Sequence, residues 1–107
     1  MQVSFEDNDI RKICEQGALA EQKFGLSVAQ QLRNRLSDIE ASQNLSEMVL
    51  GKLRLENING TERYILNLSD DFCLIMIDND PRRKPYHNIN NDLSRITRVK
   101  IMEIGKI

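Results

Sequence analysis

Cationic side chains alternate with apolar residues along the second half of the chain. The alternating segments contain Arg54, Glu56, Arg63, Arg98 and Lys100. Residues two apart in a strand share a face, so these side chains can form one polar row on a sheet. Guanidinium and ammonium groups in such a row can bind an RNA backbone and stabilise the charge that builds up on a phosphate during cleavage. The alternative is the solvent side of an amphipathic sheet with paired charges.

The candidate catalytic residues are Arg54 and Arg63, as phosphate stabilisers, and His87, the single histidine of the chain. An imidazole titrates near neutral pH and can therefore act as a general acid or base. His87 lies in a polar segment between two predicted strands. A solvated loop histidine is the alternative interpretation.

A cationic cluster in the same polar segment is the candidate RNA-binding site. It consists of Arg82, Arg83 and Lys84, followed by Tyr86. Cations beside an aromatic ring suit phosphate contact combined with base stacking. Three charges between two prolines can equally serve to keep a loop soluble.

The two cysteines, Cys14 and Cys73, are far apart and neither belongs to a CxxC pair. This usage is typical of a reduced, cytoplasmic protein. Cys73 could act as a nucleophile only if nearby positive charge favoured its thiolate, and a small buried hydrophobe is the favoured interpretation. No Gly-rich phosphate loop, zinc-ligand spacing or Ser-His-Asp arrangement occurs.

Composition predicts one ordinary globular domain over residues 1–107, with 40% hydrophobic and 29% charged residues. The N-terminal segment has no apolar run, so we expect neither a secretory signal nor a membrane span. Fifteen Lys/Arg against sixteen Asp/Glu give a net charge of -1. Nucleic-acid binding therefore depends on a local patch, because the whole chain is not basic.

Hydrophobic periodicity predicts two helices after a short strand that contains Val3 and Phe5. The first helix runs from Asn8 to Phe24, capped by acidic side chains before it and by Gly25 after it. Ser27 is the predicted cap of the second helix, whose apolar stripe includes Val28, Leu32, Leu36 and Ile39.

From Lys52 onwards the period changes towards two and predicts four strands. They are LRLENI, ERYILNL, FCLIMID and ITRVKIMEI, separated by Asn59-Gly60, Ser69-Asp70-Asp71 and a long polar segment. The fold class is therefore α+β, with a short N-terminal strand and a two-helix hairpin packed on one face of a small antiparallel sheet.

Neither face of the central strand FCLIMI is polar. Phe72, Leu74 and Met76 point to one face, which we expect to cover the helices, while Cys73, Ile75 and Ile77 point to the other. We expect that second face to line a concavity bordered by Arg54, Glu56 and Arg63, if those residues share its parity.

Nearly the full chain resembles a family of bacterial proteins. The segment VSFEDNDIRKICEQGALAEQKFGLSVAQQLRNRLSDIEAS resembles the helical hairpin of HigB-type killer proteins, which belong to the RelE/ParE toxin superfamily of type II toxin–antitoxin modules. LRLENINGTERYILNLSDDFCLIMI and ITRVKIMEI resemble the strands of that family. The short patterns AxxxFG, LxLxNIxG and ITxVxIMEI carry the likeness.

The resemblance implies a RelE-like toxin that cleaves messenger RNA in the ribosomal decoding site. In that reaction a ribose 2′-hydroxyl is aligned against its own phosphate while basic groups stabilise the charge, and neither a metal nor another cofactor is required. The implied partners are the ribosome, mRNA and a helix-turn-helix antitoxin of the HigA type, with no membrane.

Departures from the family pattern, including a shortened and less basic turn after Gly60, leave other functions open. Cys73 follows Phe72 where the family commonly has arginine, Glu56 stands where it often has a basic residue or histidine, and the chain ends EIGKI where many relatives end in a Tyr-His tail. One alternative is a catalytically weakened module that binds the antitoxin in autoregulation. The other is a gyrase inhibitor of the ParE type.

Overall fold

A computed structural model of the chain describes residues 1–48, 52–80 and 93–106. This part has an α+β architecture with three α-helices and a five-stranded mixed sheet. The elements are β1 (Gln2–Phe5), α1 (Asn8–Glu15), α2 (Gly17–Phe24), α3 (Leu26–Ala41), β2 (Arg54–Ile58), β3 (Thr61–Asn67), β4 (Phe72–Asp78) and β5 (Arg98–Lys106). Two short 3₁₀ helices span Leu45–Glu47 and Leu93–Arg95.

The region predicted as one helix from Asn8 to Phe24 is two helices, so that prediction is wrong in its continuity. The break is at Gln16, whose φ of −116° and ψ of 98° are extended. Its N–H still donates to the Lys12 carbonyl at 2.8 Å, and its carbonyl accepts from Leu19 at 3.0 Å, so one helix ends and the next begins on the same residue. The predicted acidic cap is confirmed, because the Asp7 carboxylate accepts from the Ile10 N–H at 2.9 Å.

Gly25 separates α2 from α3 and is both the C-cap of α2 and the N-cap of α3. Its φ of +91° and ψ of 167° lie in a region that is essentially restricted to glycine. Since Gly25 already precedes the first residue of α3, Ser27 falls inside the first turn and does not cap the helix as predicted. Its hydroxyl instead donates to the Ser69 hydroxyl at 2.8 Å, joining α3 to the turn between β3 and β4.

The strand order of the sheet is β1-β5-β4-β3-β2. The pairs β2–β3, β3–β4 and β4–β5 are antiparallel, as predicted from the order of the four strands. β1 pairs in parallel with β5, so the sheet is mixed and the expectation of a wholly antiparallel sheet is wrong. Parallel neighbours need a long crossover, and here all the elements between β1 and β5 provide it.

Both predicted hairpin turns are present and use left-handed backbone conformations. Asn59 and Gly60 have φ of 53° and 82°, as a type I′ turn requires. Asp70 and Asp71 have φ of 56° and 65°, and the Phe72 N–H donates to the Ser69 carbonyl at 3.0 Å across the second turn. Asp tolerates this region better than most residues with a side chain, which explains the Asp-Asp sequence.

The hydrophobic core lies between the helices and one face of the sheet. The predicted stripe on α3 is buried as expected, with Val28 and Ile39 at 0% exposure. Leu32, Leu36 and Ile39 of this stripe pack in a cluster with sheet residues that include Tyr64, Leu66, Leu74, Met76 and Ile101. The helices therefore cover one face, and the opposite face carries the charged residues together with Ile65, Cys73 and Ile75.

Candidate functional site

The sheet face opposite the helices, here called the polar face, carries the predicted row of charges. In the strand register, Arg54 lies opposite Ile65, which lies opposite Ile75, while Glu56 lies opposite Arg63. Opposed residues share a face, so Arg54, Glu56 and Arg63 lie on the same side as Ile75. The parity expected from the sequence is therefore confirmed for these three residues.

A β-bulge in β5 determines which of its residues join the polar face. Ile75 lies opposite Glu103 but Met76 lies opposite Ile101, so Met102 has no partner on β4. Glu103 and Lys100 consequently share the polar face although they are three residues apart. Strict alternation places Glu103 on the core side, so sequence analysis missed it. The sequence does contain a sign of the bulge, because its alternation of apolar and polar residues shifts by one position: apolar residues occupy 99 and 101 and then 102 and 104.

Arg98 and Lys100 complete the row at the other side of the sheet. Lys100 lies opposite Ile77 and opposite Ser4, and Arg98 lies opposite Gln2. The Lys100 ammonium is 3.8 Å from a Glu6 carboxylate oxygen. The five charges predicted to form a row thus all lie on the polar face, with Lys100 partly neutralised.

The two candidate catalytic arginines are half-buried, and each has an N–H donor without an acceptor in the described structure. An Nη of Arg54 donates to Oδ1 of Asn67 at 3.5 Å. The Nε atoms of Arg54 and Arg63 are buried and have no hydrogen-bond partner in the described structure. A buried N–H without an acceptor is energetically unfavourable, and more so on a charged group. These Nε atoms have almost no exposed surface, so an anion could accept from them only if neighbouring side chains moved.

A cavity of about 390 Å³ opens beside Arg54 at one end of the polar face. Its lining residues are Lys52, Arg54, Asn67, Leu68, Asp70, Asp71 and Phe72. Arg63 is not among them, so the two arginines share a face but only Arg54 reaches this cavity. Arg54 and Arg63 are diagonal neighbours on paired strands, so their Cα atoms are roughly 7–8 Å apart.

Gln2, Val3, Ser4, Asn79 and Arg98 line a second cavity, of about 580 Å³, at the β1 edge. Within it, the Asn79 amide donates to the Ser4 hydroxyl at 2.8 Å. Arg54 on β2 and Arg98 on β5 are three strand spacings apart across the sheet, or about 14 Å, and they are further separated along the strands because Arg54 is level with Glu103. The polar face therefore offers cations at two separate depressions.

Neither cysteine has the environment of a nucleophile. Cys73 is 2% exposed and its Sγ lies 3.4 Å from the Gly105 carbonyl oxygen. Burial raises the pKa of Cys73; the Arg54 charge opposes this effect, while Glu103 and Glu56 add to it. Burial, together with the charge of Glu15, raises the pKa of Cys14 from 9.0 to about 12. Both thiols are therefore protonated near neutral pH.

Five of the predicted site residues lie outside the described residues. They are the candidate catalytic His87 and the candidate RNA-binding residues Arg82, Arg83, Lys84 and Tyr86. Their roles stay predictions. Within the described ranges, no group of three or more His, Cys, Asp or Glu residues could hold a metal ion.

In the same ranges, no helix combines the length and apolar character needed to span a membrane. No protein-family model, curated protein or solved structure matches the chain. The polar face, with its two half-buried arginines, is thus the feature from which a function can be inferred.

Proposed function

We propose that this protein is a RelE-like toxin of the HigB type that binds messenger RNA on its polar face and cleaves it in the ribosome. The observation that carries the proposal is the pair Arg54 and Arg63, which share one sheet face and each keep a buried Nε without an acceptor in the described structure. The helices on the opposite face are consistent with the family layout.

The chemistry needs charge stabilisation more than a dedicated nucleophile. The ribose 2′-hydroxyl attacks its own phosphate, loses its proton, and expels the 5′-oxygen of the next nucleotide, which takes up a proton. Negative charge develops on the non-bridging oxygens, where guanidinium donors stabilise it. Arg54 and Arg63 fill that role, and His87 is the proposed proton carrier. The ribosome orients the RNA, so a compact face with a few cations suffices.

The partners follow from the same proposal. The ribosome presents the mRNA, and a helix-turn-helix antitoxin of the HigA type neutralises the toxin in the cytoplasm. The neutral thiol of Cys73 is consistent with a reaction that forms no covalent enzyme intermediate.

Regulated expression in a bacterial host tests the proposal. The wild-type chain should arrest growth and produce transcript cuts that require ribosomes. Arg54→Ala and Arg63→Ala should each reduce cutting by about 100- to 1,000-fold, the usual effect of removing one transition-state donor. Arg33→Ala, an exposed arginine on α3, is the matched control and should cut normally. Unchanged arrest in both folded arginine variants would reject the assigned site.

A second function, an antitoxin-binding module with weakened catalysis, is favoured by one observation. Cys73 is a buried, neutral group at the position where the resembled family commonly has arginine, and the carboxylates of Glu56 and Glu103 are close enough to raise its pKa. Normal growth on expression, combined with tight binding of the antitoxin, would support this function and contradict the nuclease.

A further inference from the structure

The outer edge of the sheet at β2 is exposed. β2 is the last strand in the sheet order and pairs only with β3 among the described strands. Leu55, Glu56, Asn57 and Ile58 are all exposed, and Leu55 and Ile58 are large apolar residues at 37% and 38% exposure. An exposed strand edge presents unpaired backbone donors and acceptors and can pair with another strand.

The hairpin turn determines which backbone groups are available. Ile58 and Thr61 flank the two-residue turn, so they exchange both backbone hydrogen bonds. Hydrogen-bonded and non-hydrogen-bonded pairs alternate along the two strands, so the backbone N–H and C=O groups of Glu56 and Arg54 also point towards β3. The N–H and C=O groups of Leu55 and Asn57 therefore point outwards from the sheet.

The side chains on this edge have a self-complementary charge order. Arg54 and Glu56 flank Leu55 on the same face of the strand. We propose that two copies of this chain pair antiparallel through β2, with Leu55 opposite the partner's Leu55. Arg54 then lies opposite the partner's Glu56, and Glu56 lies opposite the partner's Arg54. Two opposite-charge pairs and one apolar pair form in a single step.

Other two-fold registers lack this complementarity. A register centred on Glu56 places two carboxylates directly opposite each other, which is unfavourable. One centred on Asn57 places Glu56 opposite the partner's Ile58 and forms no charge pair. Only the Leu55-centred register combines outward-facing backbone groups at the centre with both charge pairs.

The two-fold axis of such a pair is perpendicular to the sheet. The described strands of the two copies then form one sheet of ten, with both polar faces on the same side. In this register only Arg54, Leu55 and Glu56 of each β2 face the partner's β2, so the contact buries little surface and the dimer is weak and reversible. Its formation does not depend on the proposed RNA chemistry, and its test requires no activity.

Sedimentation velocity of the full chain, from about 10 μM to about 1 mM, measures the association expected for a weak complex. Arg54→Glu and Glu56→Arg should each weaken dimerisation at least tenfold, because each change creates two like-charge pairs. The double variant Arg54→Glu/Glu56→Arg should restore dimerisation to within about threefold, as double-mutant coupling requires. Glu103→Arg, a charge reversal on the polar face away from this edge, should have no effect.

Two further results determine the register. Glu56→Gln should weaken the dimer, and a stronger dimer would indicate the Glu56-centred register and overturn the proposal. In hydrogen exchange, the amide of Leu55 should gain protection as concentration rises, while those of Arg54 and Glu56 are protected throughout. A wild-type chain that stays monomeric over the whole range, with fast exchange at Leu55, would also overturn the proposal.

Discussion

Glu56 and Arg63 lie directly opposite each other on β2 and β3, with both side chains on the polar face. The Nε of Arg63 is nevertheless buried without a hydrogen-bond partner in the described structure. The carboxylate thus lowers the positive potential around Arg63 without satisfying this donor. An anionic ligand would encounter both a guanidinium with spare donors and a nearby repulsive charge.

Replacing that carboxylate should therefore strengthen RNA binding. Glu56→Gln is expected to raise the affinity for a single-stranded oligoribonucleotide about two- to fivefold at low salt, because it removes one like charge from the phosphate path. Fluorescence anisotropy with a labelled oligonucleotide measures the change. Glu62→Gln, on the opposite side of β3, is the control and should change affinity less. A weaker complex for Glu56→Gln would show that the carboxylate supports binding.

Removing either candidate arginine should change the salt dependence of the same binding reaction. Each cation that contacts a phosphate contributes about 0.7 to the slope of log affinity against log salt for single strands. Arg54→Ala and Arg63→Ala should each reduce the slope by about that amount, whereas Arg33→Ala should leave it unchanged. Equal slopes for all three variants would place the phosphates elsewhere on the molecule.

Cys14 should make the stability of the protein depend on alkaline pH. The unfolded thiol ionises near 9.0, while the folded thiol holds its proton up to about 12. Between these values the folded state binds more protons, so the free energy of unfolding falls as pH rises. Urea unfolding from about pH 8 to about pH 10.5 should show a shallower decline in Cys14→Ala.

Ile13→Ala is the control for that measurement, since it shortens a neighbouring half-buried side chain and keeps the thiol. It should lower stability by a similar amount at every pH. If Cys14→Ala declines as steeply as the wild-type chain, the thiol does not cause the pH dependence.

The two hairpin turns should respond in opposite directions to matched substitutions. Gly60→Ala places a side chain at φ +82° and should lower the free energy of unfolding by about 1 kcal/mol. Asp71→Gly removes a side chain at φ +65° and should raise it by a few tenths of a kcal/mol to about 1 kcal/mol. Chemical denaturation of both variants measures the difference. Destabilisation by Asp71→Gly would indicate that this carboxylate makes a favourable contact.

Local signals in the sequence were sufficient for the strands, their turns and the polar face near β2 and β3. Alternation placed Arg54, Glu56 and Arg63 on one side because strands with two-residue turns keep a fixed parity. The Asn59-Gly60 pair identified its hairpin for the same local reason.

Features that depend on distant contacts were not predictable in this way. The pairing of β1 with β5 joins residues nearly 100 positions apart, and no local pattern encodes it. The break at Gln16 could not be predicted from periodicity, because apolar residues continue at helical spacing across it. Asn67 and Asp71 reach the Arg54 cavity only because the two hairpin turns bring them there.

The unpaired Met102 means that β5 contains one residue more than its ladder requires. A chain that lost Met102 would keep every other side chain of the strand on its present side. A chain that lost Glu103 would also close the ladder, with a thioether opposite Ile75 where the carboxylate now lies. The bulge thus allows β5 to lose one codon without reversing the strand, whereas in a strand without a bulge a one-residue deletion moves every following side chain to the opposite face.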